Sequence, residues 1–95
     1  MFDPELTLGL VKARLNRLPN DTSIDVLLDA RIESAAEELE QKGIHLTGSP
    51  SDTILLTDYT VFQYSARDQQ TGMPEWLRLR IRERWLSDRS VWDDS

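Results

Sequence analysis

Residues 21–44 read DTSIDVLLDARIESAAEELEQKGI. Ile24, Leu28, Ile32, Ala35 and Leu39 recur at spacings of three and four, which places them on one face of an α-helix. Asp21, Thr22 and Ser23 are all good N-caps, and Thr22 with Asp25 has the spacing of a capping box. At the other end Gly43 stands where a left-handed residue is wanted. Ile44 can then fold back on Leu39 in a Schellman ending. The pattern predicts a helix from Ser23 to Lys42.

Three turn signals, Pro19-Asn20-Asp21, Gly48-Ser49-Pro50 and Thr71-Gly72-Met73-Pro74, divide the chain into four segments. The segment before the quoted stretch predicts a helix from Pro4 to Leu18. Asp3 is its cap and Pro4 its first residue, although Thr7 is an alternative start. Leu6, Leu10, Ala13 and Leu18 are expected on its inner face, with Leu8, Val11 and Leu15 widening the stripe.

The third segment predicts a helix from Pro50 to Ala66. Ser49 caps it, Asp52 follows three residues later, and Leu55, Tyr59, Phe62 and Ala66 repeat at helical spacing. Thr60 to Tyr64 also has strand-like residues, but the start signal and the length favour helix. The fourth predicts a helix from Pro74 to Arg89. Leu77, Ile81 and Trp85 lie four apart, and Trp76 is assigned with Trp85 to the core. The final SVWDDS has no period and reads as a frayed tail. The fold class is therefore all-α, a small bundle of about four helices with short loops. Residues 1–89 form the single domain and 90–95 a short acidic C-terminal tail.

Ninety-five residues support one thin core. Apolar residues make up 39% and charged residues 29%. The formal net charge of −6 disfavours non-specific nucleic-acid binding, which depends on neutralising phosphates. It leaves open a channel wall past which DNA slides. Without cysteine there is no disulfide, thiolate metal site or cysteine nucleophile. The stretch MFDPELTLGLVKARL lacks the positive start and apolar block of a signal peptide, and no run approaches the roughly 18 apolar residues of a membrane helix. A cytosol, or a particle assembled there, is the expected setting.

No catalytic set is legible. His45, the single histidine, follows Gly43 in a loop and reads as an ordinary loop side chain rather than a zinc ligand. The phosphate-cradling and nucleophile-elbow motifs are missing. Paired carboxylates lie on a helix face, where no cleft is expected to hold a substrate. The expectation is a protein that is not an enzyme and uses no cofactor or metal.

Charge patterning points to an interface instead. Asp25, Asp29, Glu33 and Glu37 are each four apart, a spacing at which like charges repel slightly. They read as a solvated face or as a face for a basic partner. Within residues 75–90 five arginines meet three acids, a net of +2, which leaves −8 for the rest of the chain. Arg78, Arg82 and Arg84 are the candidate basic contacts, with intramolecular salt bridging as their plainer reading. Such asymmetry favours head-to-tail association, one copy's acidic face meeting its neighbour's arginine helix. Trp92, stranded beside Asp93 and Asp94, is a candidate to dock into another chain.

The order of these features resembles that of bacteriophage head–tail connector proteins, the head-completion adaptors of long-tailed phages. LTLGLVKARLNRLPNDTSIDVLLDARIESAAEELEQKGI, residues 6–44, is similar to the family's opening: a short Leu-Thr-x-x-x-Val-Lys-x-x-Leu helix, a polar turn and a long acidic helix. SPSDTILLTDYTVFQYSARD, residues 49–68, resembles its next helix, with apolar residues ahead of Tyr59, Tyr64 and Arg67. MPEWLRLRIRERWL, residues 73–86, resembles the C-terminal helix of some members. A short loop from Ile44 to Ser49 and an arginine-rich last helix set this chain apart from many of them.

The resemblance implies a homo-oligomeric ring of about a dozen copies. The ring would sit beneath the portal protein, meet a tail-proximal adaptor or stopper protein, and carry the DNA channel toward the tail without binding DNA specifically. The last helix and tail would engage the portal or a neighbouring copy. The setting would be the virion, assembled in the host cytoplasm, with no membrane. A different reading is a small acidic regulatory or DNA-mimic protein that binds a basic host enzyme. A helix-turn-helix DNA binder is a third.

Overall fold

The computed structural model describes residues 2–66 and 72–93, with side chains through residue 88 in the last helix. These residues form α1 (Pro4–Arg14), α2 (Asp25–Gln41), α3 (Pro50–Ser65) and α4 (Glu75–Asp93), with no strand among them. The all-α bundle expected from the periodicities is what the chain adopts. The helices α1, α2 and α3 pack on one another in pairs, and α4 packs on α3 alone. Leu28, Ile32, Leu39, Ile44, Leu56 and Leu77 are almost wholly buried where these helices meet.

The α2 pattern is realised closely. Leu28, Ile32, Ala35 and Leu39 are buried, and Ile24 is partly buried against them. Gly43 takes φ +93°, the Ile44 N–H donates to the Leu39 carbonyl at 3.0 Å and the Gly43 N–H to Glu40 at 2.9 Å. These are the two bonds of a Schellman ending. A side chain at Gly43 would be doubly penalised. The left-handed backbone costs an L-residue about 1–2 kcal/mol, and a Cβ there would lie 2.9 Å from Trp85 Nε1. Gly43→Ala should therefore lose about 1–2 kcal/mol in chemical denaturation and shift the Trp85 emission. A loss below roughly 0.5 kcal/mol would show that the turn relaxes freely.

The start of α2 differs from expectation. No side chain caps it, and the Thr22–Asp25 capping box does not form. Asp21 accepts from the Ser23 N–H and hydroxyl instead, at 3.0 and 2.7 Å. The Asp25 carboxylate turns toward α1, where Lys12 Nζ lies 3.0 Å away in an ion pair. The attraction of a buried ammonium outcompetes the local backbone.

The inner face of α1 is also rotated from its expected position. Leu6 and Leu18 are 52% and 68% exposed, Ala13 is exposed and Leu10 is only half-buried. Val11 is fully buried and Leu8 and Leu15 pack beside it, as the widened stripe had them, but the fully buried Thr7 takes the centre. Two causes act. The Thr7 hydroxyl donates to the Asp3 carbonyl at 2.8 Å, so it is buried without an unmet polar group. The helix also ends early: Asn16 adopts φ 59°, the Arg17 N–H donates to the Lys12 carbonyl at 2.8 Å and the Asn16 N–H to Ala13 at 3.1 Å. This is a second Schellman ending, with asparagine in the glycine role. Leu18 thus lies beyond the helix.

In α3 Ser49 accepts from the Asp52 N–H at 3.2 Å and Pro50 is the first residue. The strand-like threonines fit a helix because Thr53, Thr57 and Thr60 each donate their hydroxyl to the carbonyl four residues back, at 2.7–2.9 Å. Bonded in this way, β-branched polar side chains can sit in the core. In α4 Leu77 and Ile81 are buried and Trp85 partly so, but Trp76, one residue off that row, is 51% exposed and outside the core. The α4 backbone stays helical to Asp93, so four of the six residues expected to fray continue the helix.

Candidate interaction surfaces

The joint between α3 and α4 is ionic at its centre. Asp52 and Asp58, both on the buried side of α3, are nearly inaccessible. The Arg84 Nε donates to Asp52 Oδ1 at 2.7 Å and its Nη2 to Oδ2 at 3.1 Å, a two-pronged grip. Thr47 adds its N–H and hydroxyl to the same Oδ2, both at 2.8 Å. Arg84 also donates to Asp88 and to the His45 carbonyl, and the His45 N–H donates to Asp88 at 3.0 Å. Asp58 is held by Arg80 at 2.6 Å and by Arg14 of α1.

The electrostatics follow from this geometry. Burial alone would raise the Asp52 carboxyl, but the bonds from Arg84 and Thr47 hold it below its ordinary 3.8. The His45 N–H, with Arg84, holds Asp88 low despite partial burial. Asp52 and Asp88 in turn hold the Arg84 guanidinium firmly protonated. Two turns further along α3, burial and the neighbouring Glu38 carboxylate push the Tyr59 phenol up to about 12. Tyr59 donates to Glu38 at 3.1 Å, and Gln63 also donates to that carboxylate.

This arrangement corrects the expected interface in part. Arg84 is an internal clamp, engaged within the chain as the plainer reading of intramolecular salt bridging has it. Asp25 is half-buried and occupied by Lys12, so it leaves the acidic row. Arg78 and Arg82 are exposed as expected, but Glu75 and Glu83 are exposed on the same helix, and Glu75 pairs with Arg78 at 3.5 Å. With Arg80 and Arg84 turned inward, the outer face of α4 between residues 75 and 88 is close to neutral. What it displays instead is apolar: Trp76, Leu79 and Leu86, each about half exposed. Trp92 lies outside the residues whose side chains are described, and Arg67 outside the described residues altogether.

The acidic row survives in stronger form on α2. Asp29, Glu33 and Glu37 are exposed and flank two adjoining shallow clefts, of about 230 and 450 Å³, that share Glu33. Glu40 and, from α1, Glu5 complete the rim. The floor is apolar, made by Phe2, Leu8, Ile32, Ala36 and Leu46. The i, i+4 acids were legible in the sequence. Their meeting with Phe2 and Leu46 was not, because it depends on how the N-terminal residues and the loop after α2 fold against it.

Among the described residues no group of three histidine, aspartate or glutamate side chains is placed to hold a metal ion, and no helix is long and apolar enough to cross a membrane. Comparison with protein-family models, with curated proteins and with solved structures gives no match.

Proposed function

We propose that this chain is a structural subunit of a phage head–tail connector, a non-enzymatic protein that joins copies of itself into a ring under the portal and extends the DNA channel toward the tail. The observation that carries this reading is the pair of unlike surfaces on one small helical body: an acidic groove along α2 and an exposed apolar row on α4. The apolar row supports contact between copies, which closes into a ring when it is head-to-tail and the rotation suits, and the groove leaves a second surface for a neighbouring protein. The order of helices and turns resembling the connector family adds to it. An acidic surface also suits a channel wall that DNA passes without sticking.

Light scattering, on the chain alone and mixed with a portal assembly, tests the reading. A ring, or recruitment in many copies to the portal, is expected. Trp76→Ala with Leu79→Ala should lower the assembled mass and leave the helical circular dichroism unchanged, since both side chains point outward. A monomer that ignores the portal, yet competes with DNA for a basic enzyme, would replace this reading with that of an acidic regulator. The acidic groove is the observation that favours that second reading.

A further inference from the structure

We infer that the groove between the chain's N-terminal segment and α2 is a docking site for a basic, amphipathic helical segment of another protein. The inference rests on the reading of this chain as an assembly subunit, and it names the chemistry of one partner. Its floor and rim ask for two different things at once. Phe2 and Leu8, both partly exposed, offer an apolar bed above the buried Ile32, Ala36 and Leu46. Five carboxylates border it, from Glu5, Asp29, Glu33, Glu37 and Glu40, and no basic side chain lines either cleft.

Carboxylates four apart on one helix repel one another. An occupant with lysine or arginine on its flanks relieves that repulsion while its apolar stripe covers the floor. From Asp29 to Glu40 the rim runs about 16 Å along α2, three turns, which suits the apolar face of a helix of three to four turns. A nucleic acid is excluded by the sign of the rim.

The charges also decide between a second copy and a different protein. Among the described residues this chain presents no basic amphipathic face. Arg80 and Arg84 grip Asp58 and Asp52, Lys12 is buried against Asp25, and Arg78 and Arg82 share their surface with Glu75 and Glu83. The described charges thus favour a partner of another sequence over a second copy. The apolar row of α4 is left for contacts between copies.

The test uses the full chain and an 18-residue peptide of leucine and lysine, with leucines at helical i, i+3, i+4, i+7 spacing. A control peptide has the same composition with the spacing broken. Titration should show saturable one-to-one binding of the amphipathic peptide, with backbone amide shifts along the outer face of α2. The control peptide, and the Glu33→Gln/Glu37→Gln variant with the amphipathic peptide, should each bind roughly tenfold more weakly. Those two glutamates are exposed, so the variant keeps its fold, which circular dichroism verifies.

Equal affinity for the two peptides, or amide shifts away from α2, overturns the inference. So does loss of self-association in the glutamine variant without peptide, because the occupant is then a second copy. A chain that assembles on the portal but fails to bind the peptide keeps the connector reading and loses the groove. One that binds the peptide and ignores the portal does the reverse.

Discussion

Arg84→Met is expected to destabilise the chain by about 3 kcal/mol, a fall of roughly 15 °C in melting temperature for a domain of this size. The size of the loss comes from what remains behind. Asp52 is 3% exposed, and without Arg84 its carboxylate keeps only the two donors of Thr47. Asp88 and the His45 carbonyl lose a donor in the same step. A buried charge stripped of its counter-ion costs more than the pair contributes, so removing both should cost less than removing one. Asp52→Asn combined with Arg84→Met is accordingly expected to recover most of the loss, since asparagine still accepts from Thr47. If the double variant were no better than the single one, packing of the arginine stem rather than charge would be the cause.

The same cluster gives stability a direction with pH. Asp52 and Asp88 have folded-state values below 3.8, the value they take in the unfolded chain. Their contribution is therefore complete above about pH 4 and is lost as the pH falls through their folded values. The Arg84→Met chain should show a shallower acid loss than the parent.

Leu56→Ala should cost about 3–4 kcal/mol. Leu56 is fully buried on α3, the one helix that packs against all three others, so a cavity there is shared by the whole bundle. A chain of this length has roughly 5–14 kcal/mol in total, and the variant should be measurably unfolded in mild urea. Two positions away on the same helix, Ile54 is half exposed, and Ile54→Ala should stay within about 0.5 kcal/mol. Comparable losses at the two sites would mean that α3 is not the centre of the core.

Much of this architecture was legible from local signals. Ser49-Pro50 starts α3, Asp3-Pro4 starts α1 and Gly43 ends α2, because each signal acts on backbone groups within a few residues. The reading failed where a distant group outbid a local one, or where a polar residue met its own needs locally. Asp25 left its capping box for Lys12. Thr7 took a core position that Leu6 and Leu10 were expected to share, its hydroxyl bonded to the Asp3 carbonyl. Asn16 offered a left-handed stop that a glycine-centred reading passes over. The interface was half legible for the same reason. Spacing located Asp29, Glu33 and Glu37 on one face, but spacing carries no information about Asp52 and Asp58, whose burial draws Arg84 and Arg80 inward. Five arginines in a row of sixteen residues look like a surface until their partners are known.

The two aspartates on α3 bear on the order in which the molecule can be completed. A chain is made from its N-terminus, and small domains begin to fold as they emerge from the ribosome. When residues 2–66 have emerged, Asp58 has Arg14 and Asp52 has Thr47, but Arg80 and Arg84 are still inside the ribosome. Until α4 arrives, the two carboxylates have neither its cover nor its arginines. The fold closes on arrival of α4, the helix that also carries the exposed apolar row. A nascent chain thus gains its finished core and its exposed apolar row in one event, and under the proposed assembly role a half-made subunit would have little opportunity to join.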